Sequence, residues 1–185
     1  MKLYKNVDIE DITKILKEGI LSIDVTGNNN WSDSNRADNA TDVVYLFKGN
    51  DIGDSFTTYG LVLIEIEIDA KYNKIDDLDI HKGEYEEYIV SEVPVNAIKN
   101  VYIPEIFKEK IIKEYGIELT GYDVKYVDVE FEVYSSEKDE YIKADRKTKE
   151  VYVKTANIST SEFNYLRGIA NNRMLDCKMK WRYKI

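Results

Sequence analysis

The stretch "LYKNVDIEDITKILKEGI", residues 3–20, joins a short apolar strand to a polar turn and then to an amphipathic helix. Asp8 suits the N-cap position, because its carboxylate can accept a hydrogen bond from the first helical N–H groups. Gly19 suits the other end, because glycine readily adopts the conformations in which helices terminate. The apolar positions between them have helical spacing, at Ile9, Ile12, Ile15 and Leu16. The stretch therefore predicts a strand that leads directly into a helix.

Strand-like segments dominate the rest of the chain. They are predicted at residues 43–47, 61–68, 87–93, 98–103, 126–134 and 150–155. The segment 61–68, "LVLIEIEI", alternates, which places Val62, Ile64, Ile66 and Ile68 on one face and Glu65 and Glu67 on the other. Residues 24–41 are polar and predict a long loop with room for a short helical turn.

Two further helices are predicted. Pro104 begins one, which uses Phe107, Ile111 and Tyr115 and is closed by Gly116. Ser159 and Glu162 form a capping box for the other, which carries Phe163, Leu166 and Ala170. The last segment, residues 173–185, is basic and reads either as strand or as helix. This order of elements predicts an α+β fold without βαβ alternation.

Composition limits the class of protein. A chain of 185 residues with 43% hydrophobic and 33% charged residues suits one sizeable core, or a domain with an extension. Two prolines and nine glycines argue against a linker-rich chain. There is no apolar run of the roughly 20 residues that a bilayer requires. The single cysteine, Cys177, excludes an internal disulfide. We therefore expect a cytoplasmic protein with no membrane partner.

Charge is distributed unevenly along the chain. Residues 143–185 contain 11 Lys+Arg and 4 Asp+Glu, a net charge of +7, whereas residues 1–142 carry −16. Such a split can mark a basic surface for an acidic partner, or two regions that attract each other within one fold. The second interpretation is favoured, because the acidic remainder would repel a polyanion.

Several classes of site are absent from the sequence. It contains no P-loop, no G-x-G-x-x-G and no H-E-x-x-H motif. The only histidine, His81, lies in a polar segment and is expected at the surface. The acidic residues lack the spacing of a calcium loop, so no metal site is predicted.

Four segments together resemble ADP-ribosyltransferase domains. In that family a first strand ending in an aromatic residue and a histidine precedes a turn and the motif IL-x-x-G-[IL]; here the matching residues are 3–5 and 15–20. "VVYLF", residues 43–47, is similar to the strand whose tyrosine lines the nicotinamide pocket. "TTYG", residues 57–60, is similar to the second stacking aromatic. "EEYIVSEVPVNAIKNVYI", residues 86–103, is similar to the final motif, a glutamate at the start of a strand.

The resemblance implies a fold and an activity. The fold would be α+β, with a split mixed or antiparallel sheet and few helices, plus a C-terminal β-rich extension. Residues 1–115 would form the core, and residues 116–185, with strands and one helix, would pack on it. The activity would be NAD-dependent mono-ADP-ribosyl transfer to a host macromolecule. Small bacterial and phage members modify proteins, nucleic acids or defence complexes, and they include anti-CRISPR proteins that modify a surveillance complex.

The resemblance also implies a set of site residues. Glu87 would be the catalytic carboxylate, which stabilises the positive charge that develops on the ribose; Glu86, with Glu84 two residues before it, is the competing register. Tyr45 and Tyr59 would stack on the nicotinamide. The full set of cofactor-binding residues is Tyr4, Lys5, Asn6, Ser32, Arg36, Tyr45 and Tyr59. In the same loop as Ser32 and Arg36, Trp31 is either buried or offered to a partner.

Two positions differ from the family pattern. Lys5 stands where the histidine-bearing members have histidine, and Asn6 replaces a small glycine. Lysine donates hydrogen bonds but cannot accept them. The alternative prediction is thus a non-catalytic acidic inhibitor that keeps the fold and occupies a partner's basic groove. A related RNA 2′-phosphotransferase, which shares the fold and uses NAD, ranks last because residues 1–142 are acidic.

Overall fold

A computed structural model describes residues 1–27, 40–48, 60–73, 86–135, 137–155, 179–183 and 185. Within these ranges the chain forms ten strands and four short α-helices. All strand pairs but one are antiparallel. The fold is therefore mixed α+β, with mostly antiparallel sheet and few helices, which confirms the general class expected from the sequence.

The elements follow one another in this order. The strands are β1 (Lys2–Val7), β2 (Val44–Lys48), β3 (Val62–Glu67), β4 (Lys71–Asn73), β5 (Glu86–Val90), β6 (Ile98–Pro104), β7 (Val124–Val127), β8 (Val129–Ser135), β9 (Glu140–Lys143) and β10 (Met179–Tyr183). The helices are α1 (Ile12–Glu18), α2 (Ile23–Thr26), α3 (Lys108–Tyr115) and α4 (Arg146–Thr155). Short 3₁₀ turns, at Ile9–Asp11 and Glu105–Phe107, precede α1 and α3.

Seven strands form one sheet in the order β4-β5-β2-β1-β3-β6-β7, and three form a second in the order β10-β8-β9. β7 pairs with β6 in parallel and so adds a strand from beyond residue 115 to the first sheet. The two sheets share one apolar core. The rings of Phe107 and Phe131 lie 6.4 Å apart, and the Tyr183 hydroxyl donates to the Leu61 carbonyl. Residues from both sides of position 115 therefore pack together.

Strand β1 lies inside the first sheet, and its two neighbours pair with it unequally. With β3 the register runs along the whole strand, from Lys2 opposite Glu67 to Val7 opposite Val62. With β2 the register holds a single pair, Tyr4 opposite Phe47. β1 and β2 therefore diverge on either side of this pair.

Helix α1 forms as the opening stretch predicts. The Asp8 carboxylate caps the 3₁₀ turn that leads into α1, accepting a hydrogen bond of 3.0 Å from the Glu10 N–H, and Gly19 ends α1 with a φ of 86°. A Cβ at Gly19 would lie 2.2 Å from the carbonyl oxygen of Val93. Ile20 forms a β-bridge to Val93, which follows β5. The glycine thus lets the first helix dock against the segment that follows β5.

The strand predicted at residues 150–155 is wrong, because this segment belongs to helix α4. Its alternating β-branched residues favour a strand, but local and tertiary contacts favour the helix. Asp145 caps it, accepting from the Thr148 N–H at 2.7 Å, and Arg146 pairs with Glu150 one turn later at 2.7 Å. Lys110 of α3 then donates to the final-turn carbonyls of Val153 and Lys154 at 3.0 and 3.3 Å.

The remaining segments differ in detail. The strand predicted at 126–134 is two strands, β7 and β8, with Asp128 between them. The predicted helix after Pro104 is confirmed as a 3₁₀ turn followed by α3, which ends at Gly116 with a φ of 61°. The ambiguous C-terminal segment contains strand β10. The helix predicted from Ser159 lies outside the described residues, as do Trp31, His81 and Cys177. No helix in the described ranges is long and apolar enough to cross a bilayer.

Candidate functional site

A pocket of about 120 Å³ opens where β1 and β2 diverge. Lys5 and Val7 of β1 line one wall, and Val44 and Tyr45 of β2 line another. Helix α1 closes the pocket, and Gly19 at its end is part of the lining. The pocket therefore exists because β1 and β2 separate and the first helix packs over the gap.

Lys5 spans this gap. Its side-chain Nζ donates a 3.0 Å hydrogen bond to the backbone carbonyl of Tyr45, and the residue is only 9% exposed. Asp11, Lys14 and Glu18 of the helical segment also line the pocket. The pocket thus combines an apolar wall with charges of both signs, a lining that can hold a ring and orient a polar group.

Tyr45 is anchored at both ends of the residue. Its backbone carbonyl accepts the hydrogen bond from Lys5, and its hydroxyl accepts one from the Ala40 N–H at 2.8 Å. The second contact ties the phenol to the chain that enters β2. The ring is half-buried. Tyr45 is therefore held in one orientation beside the pocket.

A row of side chains crosses six strands on one face of the first sheet. Its members are successive register partners, and direct partners in antiparallel strands share a face. We call this the cross-sheet row; it consists of Asn73, Glu87, Phe47, Tyr4, Glu65 and Asn100. A carboxylate held by a neighbouring asparagine thus lies near each end of the row, and the two rings between them are tilted by 37° to each other.

Glu87 occupies the second position of β5 and is 3% exposed. The side-chain amide Nδ2 of Asn73, directly opposite on β4, donates to its Oε1 at 2.7 Å. Phe47 is its partner on the other side, on β2. The glutamate that the resemblance selected is thus a buried carboxylate with a fixed orientation.

Glu86, the competing register, lies on the other face of β5. Its Oε2 accepts from the Tyr88 hydroxyl at 2.9 Å and lies 3.7 Å from the Lys48 ammonium. Its side chain is 50% exposed. Glu86 and Glu87 therefore occupy different environments, which makes Glu86 a useful control for any experiment on Glu87.

Glu65 is the second carboxylate of the cross-sheet row, and it is 7% exposed. Asn100 donates to its Oε1 at 3.2 Å, the Tyr102 hydroxyl donates to its Oε2 at 3.0 Å, and Lys2 forms a 3.2 Å ion pair. Burial by itself would raise the pKa of Glu65. The hydrogen bonds from Lys2, Tyr102 and Asn100, with the charge of Lys2, outweigh burial and lower the pKa below its ordinary value.

Tyr4 lies between the two carboxylates in the row. It is 3% exposed, and its hydroxyl has no hydrogen-bond partner among the described residues. Burial, with the nearby charge of Glu65, raises the pKa of Tyr4 to about 12. Its ring centroid lies 6.0 Å from that of Phe47. Tyr4 is therefore a neutral aromatic residue at the one point where β1 and β2 pair.

Asn6 is 2% exposed and joins β1 to the start of β3. Its Nδ2 donates to the Gly60 carbonyl at 3.4 Å, while its Oδ1 has no partner in the described part of the chain. Asn6 shares its face with Tyr4, since the two residues are two positions apart in one strand.

The structure brings some of the expected site residues together. Tyr4 and Glu87 share the cross-sheet row, and Lys5 and Tyr45 meet at the pocket. Lys5 follows Tyr4 in β1, so its side chain projects from the opposite face. Three other expected residues lie outside the described residues, namely Ser32, Arg36 and Tyr59.

Sequence reasoning missed the residues that hold the two carboxylates. Asn73, Asn100 and Tyr102 lie in segments without a recognisable motif, so only the sheet register identifies them. Glu65 could be predicted in part: the alternation of residues 61–68 gave the face of the strand on which it lies, but not that it is buried. In the described ranges, no group of three or more His, Cys, Asp or Glu side chains is placed to hold a metal ion.

A scan against protein-family models, a search of curated proteins and a search of solved structures each returned no match.

Proposed function

We propose that the protein is an NAD-dependent mono-ADP-ribosyltransferase with the fold of that family. One observation carries the proposal. The segments that resemble the family at residues 3–5, 43–47 and 86–103 are far apart in the sequence, yet they supply β1, β2 and β5, which are neighbours in the order β5-β2-β1. The opening helix, which contains most of the matching residues 15–20, covers the gap between β1 and β2.

The chemical types of the residues that line the pocket suit parts of NAD. A planar ring can enter the pocket beside Tyr45, and the Lys5 ammonium can meet a hydroxyl or phosphate oxygen. At about 120 Å³ the pocket has room for one ring. Sites for whole ligands are typically about 300–1,000 Å³. The nicotinamide end would therefore enter the pocket. Because Glu87 lies on the face of the sheet opposite the Lys5 side chain, the ribose would have to reach it through the gap between β1 and β2.

The proposed reaction breaks one bond and forms one. The bond between the nicotinamide nitrogen and ribose C1′ breaks, and nicotinamide leaves with its electron pair. A nucleophilic atom of the acceptor bonds to C1′ and loses a proton to solvent or to a base. Positive charge develops on the ribose in the transition state, so a fixed carboxylate close to it lowers the barrier.

Glu87 is the carboxylate to which we assign this role. It is the second residue of β5, which pairs with β2, and Asn73 holds it in one orientation. A group fixed before the reaction stabilises developing charge without the cost of reorganisation. Because Glu87 is only 3% exposed, neighbouring side chains would have to move before the ribose could contact its carboxylate.

The acceptor follows by analogy with small members of the family. We propose a host macromolecule in the bacterial cytosol, with a protein of a defence complex as the first candidate and a nucleic acid as the second.

Label transfer from biotinylated NAD into a bacterial lysate tests the function. Wild-type protein should label discrete bands, and Glu87→Gln should lower the labelling roughly 100-fold or more, the usual cost of removing a group that stabilises transition-state charge. Glu86→Gln is the matched control and should label as wild type does. Equal labelling by Glu87→Gln would reject the assigned carboxylate.

A second function is favoured by one observation. The Lys5 ammonium donates a hydrogen bond to the Tyr45 carbonyl, which is a structural role. Lys5 stands where the histidine-bearing ADP-ribosyltransferases have histidine. If wild type neither labels a target nor releases nicotinamide from NAD, the protein is better described as a non-catalytic acidic inhibitor. Affinity capture with a basic nucleic-acid-binding complex would then test that role.

A further inference from the structure

We propose that Asn73 is a positioning residue, which orients the Glu87 carboxylate for the reaction. The inference rests on the proposed function and adds to it a residue that no sequence motif marks. Asn73 is the last residue of β4, the strand at the edge of the sheet. It would not touch the ribose itself and would act only through Glu87.

The contact is short and its direction is defined. Asn73 and Glu87 are direct register partners, so their side chains leave the sheet on the same face. The Asn73 Nδ2 lies 2.7 Å from the Glu87 Oε1, within the range of a charge-assisted hydrogen bond. An amide donates this bond at every pH, because it does not titrate in the range where proteins are folded.

Such a contact matters for catalysis because the reaction depends on geometry. Three rotatable bonds separate the Glu87 carboxylate from its backbone, and a displacement of about 1 Å at a reacting centre can cost roughly 100-fold in rate. The amide removes this freedom before NAD binds. Loss of Asn73 should therefore lower the rate of bond cleavage more than it weakens binding.

The same face of the sheet supplies a matched control. Asn100 donates to Glu65 in the same way, between register partners at 3.2 Å, but on β6 at the far side of β1. Glu65 has no place in the proposed reaction. Asn100→Ala therefore removes the same kind of hydrogen bond from the same face without touching the proposed site.

The experiment measures nicotinamide release from NAD by five purified full-length proteins: wild type, Asn73→Ala, Glu87→Gln, the double variant and the control Asn100→Ala. We expect Asn73→Ala to lower kcat roughly 10- to 100-fold while the KM for NAD changes less than about threefold. The double variant should be no slower than Glu87→Gln alone, because Asn73 acts only through the carboxylate. Asn100→Ala should retain the wild-type kcat.

Each outcome has a distinct meaning. A wild-type kcat in Asn73→Ala, or a further loss in the double variant, would overturn the positioning role while leaving the transferase intact. An equal loss of kcat in Asn100→Ala would overturn it too, since the loss would then reflect a general disturbance of the sheet and not the contact with Glu87. No nicotinamide release by wild type would reject the proposed function and this role together. If Asn73→Ala fails to fold, Asn73→Asp replaces it and should show a larger loss of kcat, because two carboxylates would then face each other.

Discussion

The two sides of strand β1 differ in how they are joined to the sheet. Toward β3, six register pairs run the length of the strand, and a buried carboxylate is held between β1 and β6. Toward β2, one pair joins the strands, and a pocket lies where they separate. We call these the β1–β3 junction and the β1–β2 junction.

The β1–β3 junction contributes to stability, whereas the β1–β2 junction forms the candidate binding site. Regular pairing satisfies the backbone groups of the β1–β3 junction and leaves no space for a ligand. At the β1–β2 junction the strands diverge, so a helix and the Lys5 side chain must bridge the gap. One strand therefore serves as structural support on one edge and as the wall of a candidate site on the other. Substitutions at the two junctions should have correspondingly different effects.

The largest effect is expected from Gly60→Ala, at the β1–β3 junction. Gly60 has a φ of 148°, and a Cβ there would lie 2.1 Å from the Val7 carbonyl oxygen. Strained backbone and a clash with backbone atoms should together cost roughly 3 kcal/mol or more of the free energy of unfolding. Urea denaturation measures this loss. A change below about 1 kcal/mol would show that β1 and β3 can separate at little cost.

The second effect is a loss of stability above about pH 10, the ordinary pKa of tyrosine. Burial, with the charge of Glu65, raises the folded-state pKa of Tyr4 to about 12. Between the two values the unfolded chain releases a proton that the folded protein retains, so stability falls as pH rises. For Tyr4 the loss should reach roughly 2–3 kcal/mol by pH 12. The measurement is the difference in the free energy of unfolding between wild type and Tyr4→Phe as a function of pH. This difference should not change with pH below pH 10.

A pair of tyrosine variants at pH 7 sharpens this comparison. Tyr102→Phe removes the donor to the Glu65 Oε2 and should cost about 1.5–3 kcal/mol, the usual contribution of a hydrogen bond to a charged group. Tyr4→Phe should change stability by less than about 0.5 kcal/mol, because the Tyr4 hydroxyl has no partner to lose. Equal losses in the two variants would mean that Tyr4 makes a hydrogen bond in solution.

The sequence predicts the local part of this fold well. The cap at Asp8, on the turn that leads into α1, the stop at Gly19 and the strand at 62–67 follow from spacing and residue type, because each depends on neighbours in the chain. The helix at 146–155 could not be predicted in this way. Its valines favour a strand, and the contact that stabilises its last turn comes from Lys110, more than 40 residues earlier.

The candidate site shows the same division. Residues beside a motif, such as Lys5, Tyr45 and Glu87, can be selected from the sequence. Their partners cannot, because Asn73 reaches Glu87 only through the register of β4 against β5. A shift of that register by one residue would turn Asn73 to the other face. Local sequence does not determine such a register; the pairing of whole strands does.

A small change in stability is also expected at the β1–β2 junction, from Lys5→Met. The variant keeps the apolar stem and removes the ammonium that donates to the Tyr45 carbonyl. Its cost should be about 1 kcal/mol or less, because the lost hydrogen bond is partly offset by the removal of a buried charge. The KM for NAD should nevertheless rise roughly 10-fold, a difference of about 1.4 kcal/mol in binding. A large fall in stability with an unchanged KM would instead make Lys5 a structural bridge, and the β1–β2 junction would then serve the fold rather than the ligand.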